Sequence, residues 1–317
     1  MTEKKKVIIL TGPTAVGKTE LSIKLAKEIG GEIISADSMQ VYRNMDIGSA
    51  KISNEEMDGV KHHLLDILDP SEEFNVVIFQ KAAKAAMEDI FSRGKIPIFT
   101  GGTGFYIQAV IYDIDFTENN DDDNSIRQHY EKIAREEGSA YLHHLLKEKD
   151  AEAARQIHEN NSKRIIRALE YFDLTGERIS EHNEVQSQKT SPYDVYYFVL
   201  TDDREKIYQR INDRVDAMFD AGLIQEVQKL LDAGCKRHFT SMQGLGYKEV
   251  IDYLTGDLTL EEAKEKIKRD TRHFAKRQLT WFRREKDVIW LEKNIPGLTS
   301  EDLVKKILTM TGELKYD

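Results

Sequence analysis

Gly12-Pro13-Thr14-Ala15-Val16-Gly17-Lys18-Thr19 lies between the apolar run 7–10 and a helical pattern over 20–29. The stretch matches the phosphate-binding pattern G-x-x-x-x-G-K-[ST] in its required context of strand, loop and helix. Glycines allow backbone N–H groups and the helix N-terminus to point at an anion, and Lys18 adds a positive charge. Thr19 offers a hydroxyl group to Mg²⁺. We therefore predict that residues 12–19 bind a diphosphate or polyphosphate, although the loop alone does not decide which compound.

Apolar runs alternate with helical patterns along the chain, as expected for a parallel sheet flanked by helices. The runs that predict strands are 7–10, 32–36, 96–100 and 195–200, and 62–67 is a candidate for a short strand. Apolar residues at helical spacing over 75–93, followed by Gly94, predict a helix between two of these strands. The fold class is therefore α/β, with a P-loop NTPase-like parallel sheet.

Asp37 directly follows the predicted strand 32–36, so it lies at the carboxyl edge of the sheet, where ligands bind in open α/β folds. Its carboxylate either faces the ligand of the phosphate loop or caps the next turn. We favour the first interpretation, because a carboxylate beside a bound diphosphate needs a chemical reason. At the end of strand 96–100, Gly101 and Gly102 let the backbone approach a ligand closely, and Thr103 supplies a hydroxyl group.

The chain is long for a single domain, at 317 residues. An acidic, apolar-poor stretch at 118–124 marks a boundary, and the chain from 125 to 176 consists almost entirely of helix-forming residues. The polar stretch 181–191 is typical of a loop. We predict a catalytic core at 1–120 and 190–317, with an inserted helical subdomain at 121–189.

Composition excludes several classes of protein. Cys235 is the only cysteine, which excludes a disulfide framework and a CxxC-type zinc site. No run of eighteen apolar residues occurs, and residues 1–6 lack the apolar stretch of a signal peptide. We therefore expect a cytoplasmic protein with no membrane contact. The net charge of −10 argues against uniform affinity for nucleic acid.

The segment 264–286 is strongly basic, with ten Lys or Arg residues against three acidic ones. Arg269, Lys276 and Arg283 recur every seven residues on one face of a helix, and Ile267, Phe274 and Trp281 recur on the nearly opposite face. The second face is expected to pack on the protein. We expect the first face to contact a nucleic-acid backbone, which is a salt-sensitive and sequence-independent interaction.

Two smaller basic groups leave alternatives open. Arg210 and Arg214 share a helical face, where they either clamp a phosphate through their guanidinium groups or pair with acidic neighbours such as Asp213. For Lys163, Arg164 and Arg167, a solvated helix face is the default interpretation.

Seven stretches together resemble the tRNA dimethylallyltransferase family, whose members prenylate N6 of the adenosine next to the anticodon. They are 12–19, Ser35-Ala36-Asp37-Ser38, Tyr42-Arg43-Asn44-Met45-Asp46-Ile47-Gly48-Ser49-Ala50-Lys51, Gly101-Gly102-Thr103-Gly104-Phe105-Tyr106, Arg164-Ile165-Ile166-Arg167-Ala168-Leu169-Glu170, Gly244-Leu245-Gly246-Tyr247-Lys248 and Lys276-Arg277-Gln278-Leu279-Thr280-Trp281-Phe282-Arg283. They span nearly the whole chain in the expected order. The zinc finger of some eukaryotic relatives is missing, which indicates the bacterial type.

The resemblance implies transfer of a dimethylallyl group from dimethylallyl diphosphate to tRNA, with release of diphosphate. It implies catalytic roles for Asp37, Lys18, Arg214 and Thr103. Asp37 is the implied general base for the adenine amino group. Lys18, Arg214 and Mg²⁺ on Thr19 would neutralise the departing diphosphate.

The resemblance also implies a tRNA-binding surface for the anticodon stem-loop on a monomeric enzyme. Its members are Asp37, Ser38, Met39, Gln40, Thr103, Lys163, Arg164, Ile165, Ile166, Arg167, Gln243, Gly244, Leu245, Gly246, Tyr247, Lys248, Lys276, Arg277, Gln278, Leu279, Thr280, Trp281, Phe282 and Arg283. A base stacked in an RNA loop must be extruded to reach a deep pocket.

Three other functions share part of this pattern. A small-molecule kinase would use the same loop and carboxylate but has no use for the basic helix. A transferase that acts on free AMP would also use both. A non-catalytic, GTPase-like module is disfavoured, because no N-K-x-D motif occurs in the sequence.

Overall fold

The computed structural model describes residues 4–116 and 125–312. The predicted acidic boundary at 118–124 lies outside these residues. The chain divides into two compact units, the first formed by Met1–Ile111 with Ser191–Asp317 and the second by Tyr112–Thr190. The predicted insert 121–189 falls within the second unit.

A six-stranded parallel sheet forms the centre of the first unit. Its strands are β1 (Lys6–Thr11), β2 (Glu32–Ala36), β3 (His62–His63), β4 (Pro97–Gly101), β5 (Asp194–Thr201) and β6 (Val288–Glu292), in the order β3-β2-β4-β1-β5-β6. Because helices cover both faces of such a sheet, its central strands are mainly apolar, and Val7–Thr11 of β1 is completely buried. This is a P-loop NTPase-like fold, as predicted.

Strand register brings three connecting segments to one edge of the sheet. Gly101 at the end of β4 is paired with Thr11 at the end of β1 and with Ala36 at the end of β2. The Thr11 hydroxyl donates to the Gly101 carbonyl at 2.6 Å. The segments that begin at residues 12, 37 and 102 therefore leave the sheet side by side.

Eight helices of the first unit are described. They are α1 (Lys18–Ile29), α2 (Val76–Ser92), α3 (Gly104–Ile111), α9 (Arg204–Asp220), α10 (Leu223–Asp232), α11 (Tyr247–Leu254), α12 (Leu260–Phe282) and α13 (Ser300–Met310), with a 3₁₀ turn at Ser241–Gln243. The Asn75 side chain accepts from the N–H groups of Val77 and Ile78 and so caps α2. No helix within 4–116 and 125–312 is long and apolar enough to cross a membrane.

The second unit is helical, with α4 (Ser125–Glu136), α5 (Ser139–Lys149), α6 (Ala151–Gln156), α7 (Ser162–Thr175) and α8 (Ile179–Ser187). Its core contains Tyr130, Leu142, Leu146, Ile165 and Leu169. The buried Asp150 carboxylate accepts from the Ala153 N–H group and the Ser180 hydroxyl, which fixes the start of α6.

Several element boundaries differ from the sequence-based predictions. The candidate strand 62–67 extends only over His62–His63. The predicted loop 181–191 is wrong over most of its length, because α8 continues to Ser187. On α12 the buried positions are Ala263, Ile267, Ala275, Gln278 and Phe282, whereas Phe274 and Trp281 are only half-buried. The buried face therefore follows the three-and-four spacing of a helix rather than a strict seven-residue spacing.

Candidate active site

The phosphate loop connects β1 to α1 through a tightly curved backbone. Gly17 has φ of 95° and the non-glycine Ala15 has φ of 62°, both in the left-handed region. The Lys18 ammonium donates to the carbonyl oxygens of Gly12 at 3.0 Å and Pro13 at 2.8 Å. Because an ammonium has three donors, one remains for a ligand. Thr19 follows on the exposed first turn of α1.

Gln278 on α12 joins the phosphate loop to the end of β4. Its amide oxygen accepts from the Thr14 N–H group at 2.9 Å, and its amide nitrogen donates to the Gly102 carbonyl at 3.1 Å. The residue is 6% exposed. The resemblance places Gln278 against tRNA, whereas the structure gives this side chain an internal contact with the loop.

Asp37 lies where β2 ends, beside the loop. Its Oδ1 atom accepts from the Met39 N–H group at 2.8 Å, so the carboxylate does cap the following turn. Burial raises its pKa, while the Met39 N–H group and the charges of Lys18 and Arg214 act in the opposite direction. The two interpretations of Asp37 are therefore compatible, because the same carboxylate caps the turn and lies near the phosphate loop.

The charges of the site act on one another. Burial and the charge of the nearby Arg214 lower the pKa of Lys18 to about 7, although the charge of Asp37 acts in the opposite direction. Burial likewise lowers the pKa of Arg214, and Asp37 opposes that effect. An anion placed among these groups would restore the charged form of Lys18.

The two arginines of α9 have different roles. Arg214 Nη1 lies 3.5 Å from the Thr14 hydroxyl oxygen, and its side chain reaches the water-accessible side of the phosphate loop. Arg210 Nη2 instead donates to Asp202 Oδ2 at 2.7 Å. Asp202 lies just before α9, whose N-cap is Asp203. The structure therefore brings Arg214, and not Arg210, to the loop.

Thr103 and Tyr106 complete the edge of the site beyond β4. The Thr103 N–H group donates to the Ala36 carbonyl at 3.2 Å, which places Thr103 next to Asp37. Tyr106 stacks on Phe79 with ring centroids 4.8 Å apart. Burial and the charge of Asp37 raise the pKa of Tyr106 to about 12. Our sequence-based site omits Tyr106, although the residue closes the stretch 101–106.

The donor set suits a magnesium ion that brings its own phosphate ligands. Within 4–116 and 125–312, no three His, Cys, Asp or Glu side chains cluster as metal ligands. Mg²⁺ commonly keeps several waters and binds through one or two protein oxygens together with substrate phosphates. The exposed Thr19 hydroxyl supplies one such protein oxygen.

The segments expected to contact tRNA differ in exposure. Lys163 and Arg164 are exposed on α7 of the second unit, and Arg269, Lys276 and Arg283 are exposed on α12 of the first unit. Seven other members are buried, namely Ile165, Ile166, Gly244, Gly246, Tyr247, Gln278 and Phe282. Direct contact with RNA stays a prediction for the exposed members, while the buried members support these segments from within.

Comparisons with known proteins agree along the chain. A family model described as IPP transferase matches residues 40–285. A tRNA dimethylallyltransferase of Lachnoclostridium phytofermentans is 62% identical over 305 residues, which cover 96% of this chain and 97% of the relative. The crystal structure of the full-length tRNA isopentenylpyrophosphate transferase from Bacillus halodurans is 45% identical with a TM-score of 0.73, covering 98% of this chain and 97% of that chain.

A second solved structure, a eukaryotic dimethylallyltransferase acting on tRNA, is 30% identical with a TM-score of 0.83. The match covers 98% of this chain and 79% of that one. The family resemblance carried by the sequence motifs is thus confirmed by matches in both sequence and structure. The chain therefore belongs to the tRNA dimethylallyltransferase family, which is also described as the IPP transferase family.

Proposed function

We propose that this protein transfers the dimethylallyl group of dimethylallyl diphosphate to N6 of adenosine 37 in tRNA. The observation that carries the proposal is the position of Asp37, a half-buried carboxylate within electrostatic range of Lys18 and Arg214. A cationic phosphate loop binds the leaving group, and an adjacent acid accepts a proton. A phosphoryl transferase also needs an anion site, but the family assignment favours prenyl transfer.

The reaction exchanges one bond to C1 of the dimethylallyl group for another and moves the N6 proton to Asp37. The N6 lone pair attacks C1 of the dimethylallyl group, the bond from C1 to the diphosphate oxygen breaks, and its electron pair leaves with the diphosphate. Because this lone pair is delocalised into the adenine ring, removal of the N6 proton by Asp37 assists the attack. Lys18, Arg214 and the loop N–H groups stabilise the charge that develops on the leaving oxygen.

Magnesium fits the same site. We propose that Thr19 and the diphosphate oxygens hold Mg²⁺, which supplies further neutralisation of the leaving group. The exposure of Thr19 at the start of α1 supports this role. The protein residues that bind the diphosphate directly are Gly12, Pro13, Thr14, Ala15, Val16, Gly17, Lys18 and Thr19.

The acceptor adenosine would enter beside Asp37 after extrusion from the anticodon loop. Ser38, Met39 and Gln40 border that position, and Thr103 adjoins it through its bond to the Ala36 carbonyl. The exposed cations of α7 and α12 would bind the RNA backbone. We infer that the protein works as a monomer, since Asp37, Lys18 and Arg214 of one chain suffice for the chemistry. We also propose that it acts in the cytoplasm.

The direct test is incubation of the protein with labelled dimethylallyl diphosphate, Mg²⁺ and an unmodified anticodon stem-loop, followed by nucleoside analysis. Label in N6-dimethylallyladenosine of the RNA is expected. A parallel reaction replaces the RNA with AMP, and another supplies ATP labelled in its terminal phosphate. Preferential labelling of AMP, or phosphoryl transfer from ATP without alkylation of RNA, would overturn the proposal.

Replacing Arg214 with alanine is expected to raise KM for dimethylallyl diphosphate about tenfold to a hundredfold, because a charge-assisted contact with the diphosphate is lost. Steady-state kinetics with saturating RNA measures this effect. Lys206→Ala is the matched control, since Lys206 is an exposed cation of the same helix that pairs with Asp203. If Arg214→Ala weakened only RNA binding, Arg214 would not be a diphosphate ligand.

Replacing Lys276 and Arg283 together with serine is expected to weaken tRNA binding and to reduce its salt dependence. Each lost phosphate contact lowers the slope of log affinity against log salt by about 0.7 to 0.9, so the pair should lower it by about 1.5. Filter binding across a salt series measures the slope. The control is Lys305→Ser with Lys306→Ser, which removes two exposed cations from α13. An unchanged slope in the first variant would place the RNA surface elsewhere.

A further inference from the structure

Glu226 on α10 accepts four hydrogen bonds from two distant parts of the chain. Its Oε2 atom accepts from the N–H groups of Asp46 at 2.9 Å and Ile47 at 2.8 Å. Its Oε1 atom accepts from the Gly48 N–H group at 3.1 Å and from the Tyr247 hydroxyl at 2.7 Å. One carboxylate thus holds three consecutive N–H groups of the loop 46–48 and joins that loop to the start of α11.

Tyr247 packs closely against the same loop. Its side chain is completely buried, and burial together with the adjacent Glu226 raises its pKa. A Cβ atom at Gly48 would lie 2.6 Å from the Tyr247 ring, so only glycine allows this approach. The Glu226 carboxylate and the Tyr247 ring therefore fix the orientation of the loop 46–48 and its distance from α11.

The loop continues to the acceptor side of the active site through Gln40. The Gln40 side-chain nitrogen donates to the carbonyl oxygens of Ser49 at 3.4 Å and Ala50 at 3.2 Å. Its side-chain oxygen accepts from the Ser35 hydroxyl at 3.0 Å. Met39, the residue directly before Gln40, donates its backbone N–H group to Asp37 Oδ1 at 2.8 Å. A continuous series of hydrogen bonds and short backbone links therefore runs from Glu226 to Asp37.

We propose that Glu226 is a positioning residue that orients Asp37 through the loop 46–50 and Gln40. The inference rests on the proposed function, because it assigns Glu226 a part in holding the general base. Glu226 itself touches neither the diphosphate loop nor the reacting atoms. Its loss should therefore reduce the rate of the chemical step and leave the binding of dimethylallyl diphosphate almost unchanged.

Glu226→Gln tests this assignment. A carboxamide has one acceptor oxygen, and its NH₂ group faces the donors of the loop, so the variant loses at least one of the three backbone contacts. We expect kcat to fall about tenfold to a hundredfold, as for a small displacement of a catalytic group, with KM for dimethylallyl diphosphate unchanged. The control Asp232→Asn makes the same chemical change at an exposed position of α10 and should retain the wild-type kcat.

A double-mutant cycle of Glu226→Gln with Gln40→Ala distinguishes positioning from general destabilisation. If Glu226 acts through Gln40, the two losses in kcat should be far from multiplicative. Tyr247→Phe keeps the ring and removes one hydrogen bond, so it should lower kcat about threefold to tenfold even if the glutamine variant does not fold. Multiplicative losses, or a wild-type kcat in Tyr247→Phe, would overturn the inference. These outcomes can be distinguished from failure of the proposed function, in which case the wild-type protein itself would alkylate no RNA.

Discussion

The Asp37→Asn protein should have a kcat about a hundredfold to ten thousandfold below that of the wild type, the range that general acid–base catalysis contributes. Asparagine keeps an oxygen that accepts from the Met39 N–H group, as Asp37 Oδ1 does at 2.8 Å, so the turn 37–40 should persist. The amide cannot accept the N6 proton. Single-turnover rates with preformed RNA complex measure the loss without interference from product release.

The affinity for the anticodon stem-loop is the internal control for Asp37→Asn. It should stay within about threefold of wild type, because a single neutral replacement removes no phosphate contact. Wild-type kcat in this variant would remove Asp37 from the role of general base. A loss of RNA affinity equal to the loss of rate would make Asp37 a binding residue.

Lys18→Met is expected to lower kcat/KM for dimethylallyl diphosphate about a hundredfold to a thousandfold, as for removal of one preorganised donor to a developing anion. Methionine keeps the length of the side chain but cannot donate to the diphosphate. The matched control is Lys27→Met in the last turn of α1, where the lysine pairs with the exposed Asp58. Equal effects in both variants would mean that Lys18 has no specific role in diphosphate binding.

The same lysine predicts a dependence of binding on pH. The pKa of Lys18 is lowered to about 7 in the free protein, and a bound diphosphate raises it by favouring the charged form. Above pH 7, binding must therefore take up a proton, and affinity should fall as the pH rises. Titration calorimetry at pH 8 in two buffers of different ionisation enthalpy should detect this uptake in the wild type and not in Lys18→Met. If the heat of binding to the wild type were the same in both buffers, the predicted proton uptake would be contradicted.

Strands β1, β2, β4 and β5 were predictable because each is a mainly apolar run that is largely buried. β2 has the predicted boundaries, 32–36, and β1, β4 and β5 differ from theirs by one residue at either end. Strand β6 was not predicted, and only Leu291 of its five residues is buried. Helix α8 was missed because none of its residues is buried. Its sequence therefore has no apolar periodicity from which a helix could be predicted. The short β3 forms by pairing with β2. Its length could not be predicted, because this pairing is not visible in the local sequence.

The site was predictable where a motif carries the chemistry, and not where a distant polar side chain completes it. Lys18 and Asp37 follow from the phosphate loop and from the edge of a parallel sheet. The choice between Arg210 and Arg214 required the structure, because it depends on the place of Asp202. Glu226 bonds to residues about 180 positions away, and a single glutamate on an amphipathic helix has no distinguishing pattern.

Helix α12 has one side exposed to solvent and an opposite side in contact with the phosphate loop. Lys276 projects to solvent, whereas Gln278, two positions further on, is bonded to Thr14 and Gly102. Because a helix is stiff, a force on its exposed side is transmitted to the Gln278 amide on its inner side. Binding of a large polyanion at the exposed side and the geometry of the phosphate loop are thus mechanically coupled through α12. Loosening of either contact is expected to affect the other.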